Sequence, residues 1–221
     1  MATIASALQA VKLQMAAIGK RPVQLLAVSK TWPAGAIREA YAAGQTAFGE
    51  SYVQEAIAKM RELSDLDLEW HFIGPVQSNK TKIIAEHFDW VHGVDREKIA
   101  QRLSEARPEN MPPLQVCIQV NVSGETSKSG IAPAKLPDLA KYVSSLKGLK
   151  LRGLMAIPEP SEDRTLQRQR FAELRRLKDN LPEYNLDTLS MGMSDDFESA
   201  ILEGATLVRI GSAIFGSRNK R

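Results

Sequence analysis

The sequence predicts an α/β protein, a single (β/α)8 TIM barrel over residues 1–221 with one additional N-terminal helix. Three observations lead there. Short apolar runs alternate eight times with amphipathic segments, and alternating βα units build parallel sheets that close when eight are present. The connections between them are short, as βα and αβ loops usually are. No G-x-G-x-x-G turn follows the first apolar run, which disfavours the alternative of an open, doubly wound sheet.

The first element is helical. Ile4, Leu8, Val11, Met15 and Ile18 recur at spacings of four and three, one apolar stripe stopped by Gly19 and Pro22. Strands are then predicted at 23–29, 46–49, 69–74, 90–94, 114–122, 149–157, 188–191 and 206–210. Each is followed by a helical pattern. The clearest are Val53, Ala56, Ile57, Met60; Leu136, Leu139, Ala140, Val143; and Phe171, Leu174, Leu177, Leu181. Asp95 is placed to cap the helix after the fourth strand, and Ser194 or Asp195 the helix after the seventh, since short polar side chains accept from the first free helix N–H groups.

Composition sets the outer limits. The chain is 43% hydrophobic and 25% charged, with 29 basic against 26 acidic side chains and a net charge of +3. The basic residues are scattered, and the one dense run, Ser217-Arg218-Asn219-Lys220-Arg221, reads as a solvated end rather than a nucleic-acid arm. A single cysteine, Cys117, excludes an internal disulfide, and its apolar surroundings suit a buried thiol. No stretch reaches the roughly 18 apolar residues of a membrane span, and no secretory signal opens the chain. A cytoplasmic location is expected, with neither nucleic acid nor membrane as partner.

Chemistry in such a barrel sits at the C-terminal ends of the strands. The first strand ends Ala27-Val28-Ser29-Lys30, and Lys30 shares the parity of Leu26 and Val28, continuing an inward row. A half-buried amine there suits Schiff-base chemistry, which needs the deprotonated form; the alternative is a strand-end lysine reaching to water. The last strand, Leu207-Val208-Arg209-Ile210-Gly211-Ser212, carries a guanidinium inside an apolar run that must meet an anion or fixed acceptors. Gly211 and Ser212 follow, and the seventh strand ends with similar chemistry, Ser190-Met191-Gly192-Met193-Ser194-Asp195-Asp196. The loops after strands seven and eight often hold phosphate in barrels, although Arg209 in a structural ion pair and the glycines as plain turns remain the alternative. A lysine facing a phosphate-binding rim with an arginine beside it suits an aldehyde that carries a phosphate.

Other signals fail. Gly124-Glu125-Thr126-Ser127-Lys128-Ser129-Gly130 lacks the second glycine of a phosphate loop, because Ser127 stands there. His71, His87 and His92 have no metal-ligand spacing, and no G-x-S-x-G elbow is present. Trp32, Trp70 and Trp90 read as packing or rim residues.

The motifs together resemble the pyridoxal phosphate homeostasis protein family. They are Ala27-Val28-Ser29-Lys30-Thr31, Phe48-Gly49-Glu50, Tyr52-Val53-Gln54-Glu55, Trp70-His71-Phe72-Ile73-Gly74-Pro75, Gln77-Ser78-Asn79-Lys80, Ser127-Lys128-Ser129-Gly130-Ile131, Arg152-Gly153-Leu154-Met155-Ala156-Ile157-Pro158, residues 189–196, Arg209-Ile210-Gly211 and Ile214-Phe215-Gly216. They span nearly the whole chain in order. The resemblance implies a barrel of the alanine-racemase type (fold type III), pyridoxal 5′-phosphate as a Schiff base on Lys30, and Arg209 against the pyridine nitrogen. It also implies Ser190, Gly192, Met193, Ser194, Gly211 and Ser212 around the phosphate. One departure stands out: Ser51 replaces the asparagine usual after Phe-Gly-Glu.

The function expected is therefore intracellular vitamin B6 homeostasis, holding the cofactor without a dedicated turnover. The alternative is a fold type III enzyme, an amino-acid racemase or decarboxylase; a barrel acting on phosphosugars or phosphorylated indoles explains only the phosphate rim. An arginine cannot accept a proton, so the ring facing it remains a weak electron sink. Racemases share such an arginine, but carry a second, β-rich domain that the 221 residues leave no room for. For the same reason a monomer is expected.

Overall fold

In the computed structural model, which describes residues 3–19, 21–125 and 129–217, the eight apolar runs become eight parallel strands. They are β1 (Gln24–Val28), β2 (Ala47–Glu50), β3 (Glu69–Phe72), β4 (Trp90–Val94), β5 (Leu114–Gln119), β6 (Leu149–Met155), β7 (Thr188–Ser190) and β8 (Leu207–Ile210). They pair in chain order, and β8 returns to β1 with Leu26 opposite Arg209 and Ala27 opposite Ile210, so the sheet closes as predicted.

Helices separate the strands: α1 (Ile4–Ile18), α2 (Ala34–Ala42), α3 (Val53–Glu62), α4 (Thr81–His87), α5 (Glu97–Ala106), α6 (Leu136–Ser144), α7 (Arg164–Asp179), α8 (Phe197–Leu202) and α9 (Ser212–Phe215). The N-terminal stripe behaves as its spacing requires. Leu8, Val11 and Met15 are buried as α1 packs on α2, α8 and α9, and the helix stops with the Gly19 N–H on Met15 O. Thr3 caps its start, its side chain accepting from Ser6 N at 3.1 Å.

Alternation along the strands sorts the apolar residues into two environments. Leu25 and Ala27 join the large core between strands and helices, together with Phe48, Phe72, Phe88 and Phe171. Two small apolar clusters stand apart from that core: Leu26 with Ala47 and Leu207, and Trp90 with Cys117 and Met155. Cys117 is a free, wholly buried thiol, and burial pushes its pKa up to about 12, which suits the packing role expected of it.

The strand ends are shorter than predicted. β5 stops at Gln119 and β6 at Met155, because beyond them the chain turns into loops, Val120 keeping one bond to Met155 O and an isolated bridge to Ile131. The capping expectations need correction. Asp95 turns its carboxylate to Arg96 Nη1 at 2.6 Å instead of capping α5. Before α8 the residue at the cap is Asp196, not Ser194 or Asp195, and its Oδ1 accepts from Met193 N at 2.6 Å. The basic run 218–221 and the centre of the glycine–serine loop, 126–128, lie outside the described residues.

Candidate functional site

A cavity of about 260 Å³ opens among residues that follow the C-terminal ends of the strands. Lys30, Met193, Ser194, Arg209, Gly211 and Ser212, all singled out from the sequence, line it together. Ser190 and Gly192 do not reach the lining. Ser190 is wholly buried beneath it, and Gly192 is packed where a side chain would stand 2.6 Å from Ala200 Cβ, in a backbone conformation (φ +93°) that favours glycine. The Gly192 carbonyl accepts from Arg209 N at 2.9 Å, so both residues support the arginine rather than face the cavity.

The sequence reading missed the apolar part of the wall. Ile73 and Ile157, at the ends of the third and sixth predicted strands, line the cavity with Val28 and Trp32. Their positions were available from the strand-end rule, but an isoleucine carries no chemical signal to single it out. Trp32 stacks on Phe215 with ring centroids 6.0 Å apart, tying the segment after β1 to α9. Asp195, part of the strand-seven run and a cap candidate in the sequence but not among the expected cofactor contacts, also lines the cavity.

Lys30 is half-buried, and the segment that carries it is held on both sides. Ser29 Oγ donates to Glu50 Oε1 at 2.6 Å, and Ser29 O accepts from Lys59 Nζ at 2.8 Å. Thr31 N donates to Glu55 Oε1 at 2.6 Å. Lys59 Nζ joins the two carboxylates, 2.8 Å from Glu50 and 2.5 Å from Glu55. Thr31 adopts φ +70°, a region a β-branched residue rarely enters, and the Glu55 contact is what holds it there. Glu50 is wholly buried. Burial pushes its pKa up while Lys59 opposes that, and its Oε2 has no hydrogen-bond partner among the described residues.

Arg209 is 3% exposed, yet lines the cavity. Its Nη1 donates to Ser190 O at 2.6 Å and to Ser190 Oγ at 2.8 Å, and its Nη2 to Ala156 O at 3.0 Å. The guanidinium is thus fastened to the ends of β6 and β7 by neutral acceptors. Burial pushes its pKa down to about 10, so it is still a cation at neutral pH. Of the two alternatives raised by the sequence, the structural ion pair is not found among the described residues, where the side-chain hydrogen bonds of Arg209 go to two carbonyls and a hydroxyl.

Residues 5–219 match the family model described as alanine racemase, N-terminal domain. The "Pyridoxal phosphate homeostasis protein" of Pseudomonas aeruginosa is 65% identical over 205 residues, covering 92% of this chain and 89% of that one. The chain belongs to the pyridoxal phosphate homeostasis protein family. The Escherichia coli K12 member is 54% identical, covering 91% of this chain and 89% of its own. Among solved structures, PipY of Synechococcus elongatus with pyridoxal phosphate bound superposes with a TM-score of 0.87 at 42% identity, over 97% of this chain and 100% of that one. Alanine racemase from Corynebacterium glutamicum shares the fold at 18% identity and a TM-score of 0.75, but only 60% of that chain is covered. The alanine-racemase-type barrel that the motifs implied is therefore the fold of this family member. Ser51, its departure from the family's usual asparagine, lies with its backbone against Gly74 and outside the cavity lining.

Proposed function

We propose that this chain binds pyridoxal 5′-phosphate in the cavity and serves cofactor homeostasis, with residues 1–221 acting as one binding unit. The observation that carries the reading is the convergence of Lys30 and Arg209 on one small cavity bordered by Gly211 and Ser212. The residues fit the group. An amine matches the aldehyde, a guanidinium donor matches an unprotonated pyridine nitrogen, and the first N–H groups of a short helix beside glycine match a phosphate. The apolar walls, Ile73, Ile157 and Trp32, match a flat ring. PipY, which binds pyridoxal phosphate, supports the assignment.

In this reading Lys30 Nζ holds the cofactor as a Schiff base, and Arg209 presents a donor to the ring nitrogen. Met193, Ser194, Gly211 and Ser212 surround the phosphate, with Ser190 and Gly192 behind them. When bound, the cofactor supplies an electron-accepting ring. Arg209 keeps a proton on its own side of the contact, so that capacity remains weak. Lys59, Glu50 and Glu55 hold the Lys30 segment still, and the apolar wall excludes water from the linkage. The second reading, a fold type III racemase or decarboxylase, has less support: PipY is 42% identical to this chain and the racemase 18%. We place the protein in the cytoplasm as a monomer.

The test is a titration of the cofactor-free protein with pyridoxal 5′-phosphate, followed by visible absorption. Wild type is expected to saturate at one cofactor per chain. Arg209→Ala is expected to bind at least about tenfold more weakly, since a hydrogen bond to a charged group contributes about 1.5–3 kcal/mol. Equal affinity in the two proteins would remove Arg209 from the site.

A further inference from the structure

A continuous hydrogen-bonded chain crosses the inside of the barrel and ends on Arg209. It starts at Glu69, the first residue of β3, whose side chain is 40% exposed. Glu69 Oε1 lies 2.7 Å from His71 Nε2, and His71 Nδ1 lies 2.9 Å from His92 Nε2. His92 Nδ1 is 2.8 Å from Ser190 Oγ, which accepts from Arg209 Nη1. The members come from β3, β4, β7 and β8, and His71, His92 and Ser190 are wholly buried. Barrels usually fill this space with branched apolar side chains, and two buried imidazoles are costly there unless every ring nitrogen is satisfied. Here all four are.

The ends fix the protons. A guanidinium only donates, so Ser190 Oγ accepts from Arg209 and has its own proton to give. The Glu69 carboxylate only accepts, so His71 carries its proton on Nε2. With both rings neutral one arrangement fits: Ser190 donates to His92 Nδ1, His92 Nε2–H to His71 Nδ1, and His71 Nε2–H to Glu69. Burial lowers the pKa of both histidines; for His92, His71 and Arg209 add to the effect, while for His71 Glu69 and Asp89 oppose it. The other charged or titratable groups near the ends are Arg152, over the Trp90 ring that stacks on His71, and Asp196 and Cys117 near Arg209. Every donor thus points from the cation toward the carboxylate, and aligned hydrogen bonds strengthen one another.

We propose that Glu69, His71 and His92 are positioning residues for Arg209, orienting and polarising its guanidinium through Ser190 from the opposite end of the barrel. This rests on the reading that Arg209 faces the cofactor ring. Its consequence is that a change at the ring nitrogen is felt at His71, which lines no part of the cavity.

The test uses nitrogen-15 NMR of the imidazoles in the full chain. Without cofactor, both His71 and His92 are expected as neutral Nε2–H tautomers. A charged ring or the Nδ1–H form would overturn the chain. On adding pyridoxal 5′-phosphate, ring signals of both are expected to move in wild type, and those of His71 to stay fixed in Ser190→Ala. His92→Leu is expected to shift the visible band of the bound cofactor and to weaken its binding about tenfold, the weight of one hydrogen bond. His92→Gln, which keeps one donor and one acceptor, is expected to recover most of that loss. Cofactor bound to wild type with both histidines unmoved would overturn the proposal, whether or not His92→Leu folds. A wild type that binds no cofactor would instead sink the reading of the site, and this inference with it.

Discussion

Lys59 is a buried lysine, 6% exposed at its side chain, and it neutralises a carboxylate that is wholly buried. Replacing it by methionine keeps the stem and removes the charge, which leaves Glu50 with Ser29 as its one side-chain partner among the described residues. Breaking a buried pair in this way costs about 3–5 kcal/mol, so Lys59→Met is expected to shift the denaturant midpoint accordingly and to loosen the Lys30 segment. Adding Glu50→Gln should return most of the stability. A loss below about 1 kcal/mol would mean that Glu50 already holds a proton, as burial encourages. Lys30 and Arg209 were legible in the sequence because a charge at an inward strand position is anomalous. Lys59 was not. It stands beside Met60 in a helical pattern where lysines ordinarily face solvent, and only the closure of β1 on β2 brings it under Ser29. His71 and His92 were equally hidden, since their spacing fits no metal site and the contacts that join them to each other and to Ser190 span 21 and 98 residues of sequence.

Three elements are clasped at one side of the mouth. Glu159, after β6, accepts from Arg170 Nη2 of α7 at 2.6 Å and also from Ser123 Oγ in the loop after β5. Burial raises the pKa of Glu159, but the hydrogen bonds from Arg170 and Ser123 outweigh it and hold it at about 2. A carboxylate depressed in the folded state adds stability above its unfolded pKa of about 4.3, and that stability is lost as pH falls toward the folded value. Thermal melts of wild type between pH 5 and pH 2.5 should therefore fall more steeply than those of Glu159→Gln, and parallel curves would show that the clasp contributes nothing. Strand and helix existence was legible because the two periodicities are strong. The caps were not, because Ser194, Asp195 and Asp196 offer the same chemistry within one turn, and the Met193 N–H contact that selects Asp196 depends on the loop's path.

For the whole molecule, the barrel brings residues from both ends of the chain to one cavity. β8 closes on β1, and this single pairing sets Arg209 beside the strand that leads to Lys30. Among the described residues the cavity lining offers two bases, Lys30 and Asp195; the carboxylate is the weaker of the two, and inversion of a stereocentre needs acid–base help on both ring faces, worth about 10²–10⁴-fold each. The purified protein is expected to scatter light as a monomer and to racemise no common amino acid at an appreciable rate; a stable dimer mass, or fast racemisation abolished by Lys30→Ala, would favour the enzyme reading. The central claim is that Lys30 holds the cofactor, and reduction with borohydride followed by peptide mass mapping tests it most directly. The expected result is the reduced cofactor's mass on the peptide containing Lys30 and its absence in Lys30→Ala. The cofactor mass on Lys80, Lys59 or another lysine, with Lys30 unmodified, would contradict the account.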